Sequence, residues 1–367
     1  MKRPLTVLCI GGSDTSCGAG IQADLKAVSA CGCYGLTVIT ALTAQNTRGI
    51  LDIFPVPPKF IAAQLDAVLS DIGADALKTG MMLTAGAVNA VVSKIEQYRL
   101  KNVVVDPVMI AKGGRTIMRE AAQQALVKKL LPLTRVLTPN IPEAESLAQM
   151  KIRSVAAMKK AASVILDLGV GNVIIKGGHL PSSRKSGSVD ILYDGKQYFE
   201  FGAGWINTKN THGTGCTYAS VLACGLAQGK NIVQAAEQAK IMVTHSIAQS
   251  LSLGRGHGPV NVTVNEKPQN ECLHGLQMAI NILAAKHVCQ RIGFAVESFD
   301  RGDEPDENKN KEGFSLEWGV NKVLRHARMI PDIIYDRGGW GKEPMARVLG
   351  RNPVEVVNKV LTILKQL

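Results

Sequence analysis

Aromatic residues are scarce: Phe, Trp and Tyr together make up 4% of the 367 residues. A surface that stacks nucleic-acid bases needs such rings set among basic residues. Here Lys and Arg are scattered and no zinc-finger spacing occurs, so nucleic acid is not an expected partner. Long apolar runs are missing too. None approaches the roughly 20 residues that a bilayer span requires, so no membrane association is expected. Met1-Lys2-Arg3-Pro4 leads into an apolar run that stops at Gly11-Gly12 with no small-residue cleavage site, the pattern expected of a cytoplasmic protein. Cys-x-x-Cys pairs are also absent. The cysteines at 9, 17, 31, 33, 216, 224, 272 and 289 sit largely in apolar runs. They read as reduced, mostly buried thiols rather than a disulfide framework or zinc site.

What is present is the profile of a globular chain: 46% hydrophobic and 20% charged residues, with 36 Gly and 15 Pro. The length suggests two domains, or one large domain with an appendage. Of the net charge of +12, the chain from Lys267 onward holds only +2, so +10 falls on the first 266 residues. A diffuse positive field of this kind suits phosphorylated small molecules.

Up to about residue 255, short apolar runs alternate with helical patterns. Leu5–Ile10, Leu36–Leu42, Ala76–Thr79, Val103–Asp106, Val136–Thr138 and Val173–Lys176 read as strands. Helices are expected at Gly20–Ala30, Lys59–Leu69, Gly215–Gln228 and Ile232–Ser252, and a hairpin turns at Asp194-Gly195. This alternation implies an α/β fold with a doubly wound, mainly parallel sheet flanked by helices. The run Gly254-Arg255-Gly256-His257-Gly258-Pro259 breaks the last helix. The expected domains are 1–258 and 271–367, joined by a linker at 259–270, the second being a smaller α/β domain. In it, a helix is expected near Cys272–Arg291, a charged loop at Asp300–Lys311, a helix at Leu316–Arg328, a strand at Asp332–Tyr335 and a last helix from Pro353.

Open α/β sheets bind ligands beyond the carboxyl ends of their strands, and the unusual loops of the first domain fall there. They are Gly11-Gly12-Ser13-Asp14, Asp106-Pro107-Val108-Met109, Thr138-Pro139-Asn140 and Lys176-Gly177-Gly178-His179. The sharpest is Thr211-His212-Gly213-Thr214-Gly215-Cys216, which opens a helix. Its glycines let successive backbone N–H groups converge on one point, and the helix dipole adds positive potential there. Such an anion hole stabilises charge on a phosphoryl group in transfer. The same potential is expected to lower the pKa of the Cys216 thiol.

Taken in order, these stretches resemble the hydroxymethylpyrimidine kinase/phosphomethylpyrimidine kinase family of thiamine biosynthesis. Gly18 through Lys26, Ile39 through Gly49, Lys78 through Met81, Thr138 through Glu143 and Thr208 through Thr217 extend the match over the whole first domain. The resemblance implies a ribokinase-like fold, with ATP as co-substrate and Mg²⁺ as cofactor. It implies that Asp24 and Gln45 hold the pyrimidine's nitrogens and that Gly12, Met81 and Val108 wall its pocket. Asn140 and Glu143 would organise metal and phosphate, Lys176 would contact the transferring phosphates, and Thr211 and Thr214 would join the phosphate site. Asp106 and Glu143 are the implied metal contacts. Cys216 stands where most ribokinase relatives place the base, with Gly213 and Gly215 forming the anion hole around it. The acceptors would be hydroxymethylpyrimidine and its phosphate, in a protein expected to form a homo-oligomer. A pyridoxal kinase and a non-catalytic thiamine-phosphate-binding regulator are the alternatives.

The second domain resembles the thiamine-phosphate synthase module found fused to this kinase, through Ser298–Pro305, Lys309–Gly319, Pro331–Pro344 and Arg347–Pro353. Within it, Asp336-Arg337-Gly338-Gly339-Trp340-Gly341-Lys342 is a Gly-rich basic loop after a strand, a candidate phosphate cradle through Arg337, Gly338, Gly339 and Lys342. The middle of the module is missing. With it go a Gly-Ala-Ser-Arg-His segment and an upstream Arg linked in the family to synthase chemistry. The domain is therefore expected to be degenerate or to sense thiazole phosphate or thiamine phosphate, rather than to be a working synthase.

Overall fold

The structure, a computed structural model, describes residues 3–109, 117–262, 295–299, 314–326, 331–336, 345–349, 351, 355–356 and 358–359. The chain divides into two compact units, Met1–Val264 and Asn265–Leu367.

The first unit is built on a nine-stranded sheet. Its strands are β1 (Thr6–Asp14), β2 (Tyr34–Asn46), β3 (Gly49–Pro55), β4 (Ala76–Thr79), β5 (Val103–Val105), β6 (Val136–Leu137), β7 (Val173–Ile175), β8 (Ser188–Tyr193) and β9 (Tyr198–Ala203), in the order β3-β2-β1-β4-β5-β6-β7-β8-β9. From β2 through β7 neighbouring strands run parallel, while β3 and the β8–β9 hairpin add antiparallel edges. The central strands are short, continuous apolar runs such as Val103-Val104-Val105, fully buried, because helices cover both faces of the sheet. One face packs α2 (Pro58–Asp71), α3 (Ala85–Tyr98), α4 (Glu120–Ala125), α5 (Ile141–Ala148) and α6 (Val155–Leu166). A short α7 (Ser183–Ser186) follows β7. The other face packs α1 (Gly20–Ala30), α8 (Thr214–Ala227) and α9 (Ile232–Ala248). Among the described residues no helix is long and apolar enough to cross a membrane.

Sheet order reverses at β1, which lies between β2 and β4. That reversal opens a crevice at the strands' carboxyl ends. The expected linker differs at its start. Pro259 forms a bridge with His212, Val260 donates its N–H to the His212 carbonyl, and Val260 and Val262 are buried. Apolar residues alternating with polar ones here close the core beneath the Thr211–Cys216 loop, so residues 259–262 belong to the first unit.

In the second unit, β10 (Val296–Phe299), β11 (Ile333–Asp336) and β12 (Met345–Val348) form a sheet, with β10 and β11 parallel and β12 antiparallel. Helix α10 (Phe314–His326) places Val323 in a small core with Ile334. The expected helix at 272–291 and the loop at 300–311 lie outside the described residues, as does the phosphate loop of Arg337, Gly338, Gly339 and Lys342. The same holds for the start of the last helix.

Candidate active site

Three groups of side chains meet the carboxyl ends of the sheet. The first surrounds Lys176, the residue after β7. Its Nζ donates to Asp106 Oδ1 at 2.8 Å. Burial opposes the lysine's charge, but Asp106 and Glu143 outweigh it and hold its pKa above the ordinary value. Glu143 closes a capping box at the start of α5. It accepts the Asn140 N–H at 2.9 Å while Asn140 Oδ1 accepts the Glu143 N–H at 3.0 Å. Pro142 in the first turn supports that helix start. Burial pushes Glu143 up to about 7, with Asp106 adding to the rise and Lys176 opposing it. A Cβ on Gly215 would come within 3.3 Å of Lys176 Nζ and 3.4 Å of Asp106 Oδ2. The absence of a side chain at Gly215 thus keeps this charged cluster open to α8.

The second group is the Gly-rich loop after β1. Asp14 Oδ2 accepts the N–H groups of Gly18 and Ala19 at 3.2 and 2.8 Å, and Oδ1 accepts from Ser16. His212 Nε2 lies 2.8 Å from Asp14 Oδ2 and 3.2 Å from Gln45 Nε2. Despite burial, these hydrogen bonds hold Asp14 down at about 2. Gln45 is therefore tied through His212 to the Thr211–Cys216 loop. Met81 bears on Gly12, where a Cβ would collide with its methyl group, and its carbonyl accepts from Thr40 Oγ1 at 2.6 Å. Val108 is half-buried on the loop after β5.

The third group lies at the head of α8. Gly213 takes a left-handed φ of 84° as its N-cap, and a Cβ there would strike the Gly18 carbonyl. No side chain caps the helix, so its first-turn N–H groups face the loop mouth. Thr214 Oγ1 is spent on the Thr211 carbonyl at 2.8 Å, closing the turn.

Cys216 departs from expectation. Burial pushes its thiol up to about 11; Lys78 and the Gly20 N–H draw it down, while Asp24 and Asp106 add to the rise. The helix terminus does not overcome desolvation, and the resting thiol is protonated. Asp24 also differs from its expected role. It is wholly enclosed, and both of its oxygens accept from Lys78 Nζ at 2.7 and 2.8 Å. Its carboxylate serves as counter-ion to a buried lysine instead of opening onto the pocket.

Lys78, Asp14 and Ser220, whose Oγ donates to Asp24 Oδ1 at 2.8 Å, carried no expected role. Lys78 had a readable signal: a charged residue inside the otherwise apolar strand Ala76-Leu77-Lys78-Thr79 must find a partner. The described cysteines are all free; Cys31, Cys33 and Cys224 lie together, and the contact with the Cys224 thiol draws Cys31 down and Cys33 down to about 7. No group of three or more His, Cys, Asp and Glu side chains fit for a metal occurs among the described residues. The carboxylates of Asp106 and Glu143 do supply hard oxygen donors, beside the Lys176 ammonium. A hard divalent cation that keeps water and takes its other ligands from phosphates fits such a pair.

The doubly wound sheet, with these groups at its carboxyl ends, has the ribokinase-like fold of small-molecule kinases. The chain belongs to the phosphomethylpyrimidine kinase family, whose model matches residues 14–261. A second model, thiamine-phosphate synthase ThiN, matches residues 271–362. The hydroxymethylpyrimidine/phosphomethylpyrimidine kinase of Bacillus subtilis is 44% identical over 254 residues, covering 69% of this chain and 93% of that protein. The thiamine biosynthesis bifunctional protein ThiED of Geobacter sulfurreducens is 51% identical over 256 residues, 70% of this chain but 52% of its own length. Among solved structures, the phosphomethylpyrimidine kinase of Clostridium difficile 630 is 41% identical with a TM-score of 0.59, covering 66% of this chain and 99% of its own. An ADP complex of Bacillus subtilis pyridoxal kinase is 37% identical with a TM-score of 0.68, covering 72% and 100%.

Proposed function

We propose that the first unit transfers the γ-phosphoryl group of ATP to the hydroxymethyl oxygen of hydroxymethylpyrimidine, and then to the phosphate of the product. The observation that carries this reading is the convergence of the Lys176–Asp106 pair and Gly215 at the head of α8. There the first-turn N–H groups and the Lys176 ammonium meet charge developing on the phosphoryl oxygens. Asp106 and Glu143 would hold Mg²⁺, which when bound neutralises nucleotide phosphate charge. Gly12, Gln45, Met81 and Val108 form the acceptor side. Cys216, after its thiol has given up its proton to solvent, takes the acceptor proton as thiolate while the O–P bond forms and the bond to the β-phosphate oxygen breaks; Gly213 and Gly215 keep the space around it clear.

The relation to pyridoxal kinases supports a second acceptor class at the same site, an aromatic hydroxymethyl compound, with Gln45 and Met81 favouring the pyrimidine. The match of residues 271–362 to the synthase model, with the middle of the module missing, supports a C-terminal domain that binds thiamine phosphate or thiazole phosphate without making it. Replacing Cys216 by Ala tests the base. The turnover number should fall at least about 100-fold, with the dissociation constant of the pyrimidine little changed; near-normal turnover would remove Cys216 from that role.

A further inference from the structure

Strand β4 carries a lysine where a buried strand ordinarily has an apolar residue. Lys78 is 1% exposed and Asp24 0%, and charged side chains are almost never so enclosed unless paired. The Asp24 carboxylate that holds Lys78 also accepts from Ser220 Oγ at 2.8 Å. Ser220 follows Cys216 by four residues on α8, so the two side chains lie on one face of the helix, a turn apart. The ion pair therefore lies beneath the face of α8 that bears Cys216. It sits where the sheet order reverses, since Lys78 pairs with Cys9 of β1 in the sheet register. Gly80, two residues on, leaves room for the ammonium, because a Cβ there would come within 3.1 Å of Nζ. Folding alone does not call for two enclosed charges, since apolar residues of similar volume stabilise as well or better.

We propose that Lys78 is a positioning residue for phosphoryl transfer: Asp24 fixes its ammonium beneath the first turn of α8, where its charge stabilises the Cys216 thiolate. This deepens the reading of Cys216 as the base and rests on it. The groups facing Cys216 are Lys78 from β4, Asp24 from α1, Asp106 after β5, Lys176 after β7 and Cys9 from β1, together with the Gly20 N–H. Of the influences on Cys216, burial is the largest and Lys78 comes next, ahead of the opposing carboxylates.

Alkylation of the full chain by iodoacetamide across a range of pH, with the Cys216 peptide followed by mass spectrometry, reads the thiol's ionisation whether or not Cys216 takes part in the reaction. In Lys78→Met the profile should move up by about one pH unit, making Cys216 about tenfold slower to react below its pKa. The turnover number should fall in step while KM for the pyrimidine holds. The double variant Lys78→Met/Asp24→Asn strands no charge, and it should still move upward by a smaller amount. It decides the question if Lys78→Met does not fold. Profiles of the folded variants that overlay the parent's overturn the proposal. Normal turnover by Cys216→Ala would overturn the base reading instead, a failure that the alkylation profile keeps separate from this one.

Discussion

Raising the pH from about 7 to about 9 should speed the first phosphorylation steeply, because the base rests in the wrong protonation state. With the Cys216 thiol at about 11, about one site in a thousand is thiolate at pH 8, and holding it ionised there costs about 4 kcal/mol. A turnover number that depends on the thiolate rises about tenfold per pH unit below the pKa, or about 100-fold across this window. Cys216→Asp, which places a carboxylate at the same position, separates this dependence from titration of other groups. Its base is already ionised at neutral pH, so its profile should be flatter. The assay is ADP release at saturating pyrimidine and Mg-ATP, with the coupling enzymes in excess at each pH. A parent turnover number that stays level from about pH 7 to about pH 9 would refute the thiolate as base. So would an equally steep rise in Cys216→Asp.

Two further outcomes concern the loops that hold the site. Asp14 is held down at about 2 by its hydrogen bonds to His212, Ser16 and Ala19. It therefore contributes stability that is present above its unfolded value near 4 and is lost as pH falls through about 2. Asp14→Asn should cost about 1–2 kcal/mol in urea unfolding at neutral pH, a gap that narrows as pH drops from about 4 to about 2. A gap that is constant over that range would contradict the assignment. At Gly213, the left-handed backbone and the nearby Gly18 carbonyl make Gly213→Ala costly by about 2 kcal/mol or more. Thermal unfolding and turnover should both suffer, and if neither changes the close approach does not matter.

The layout of the first unit was largely legible from the sequence, for a physical reason. Strands buried on both faces read as short apolar runs, so Val103–Val105 falls within one residue of its expected bounds, and Ala76–Thr79, though interrupted by Lys78, falls at its own. The helix Gly20–Ala30 was marked by the glycines before it and by Gly32 after it. Strand β3 was not foreseen: Gly49–Pro55 is an edge strand with Leu51 and Phe54 exposed, so no core face imposes a pattern on it. At the site, the motif residues lie at the strand ends as their positions implied, and the ion pair Lys176–Asp106 joins two of them across 70 residues. The electrostatics were not legible. Whether a helix terminus or burial governs Cys216 depends on how deeply α8 packs, and whether Asp24 faces a ligand or Lys78 depends on the pairing of β1 with β4. Neither can be read from spacing along the chain.

The most direct measurement incubates the purified chain with hydroxymethylpyrimidine, Mg-ATP and hydroxyethylthiazole phosphate and quantifies every product by mass spectrometry. The expected result is the pyrimidine monophosphate followed by accumulating diphosphate, with no thiamine phosphate. Absence of any phosphorylated pyrimidine would contradict the kinase assignment, and formation of thiamine phosphate would show that the short C-terminal domain is a complete synthase.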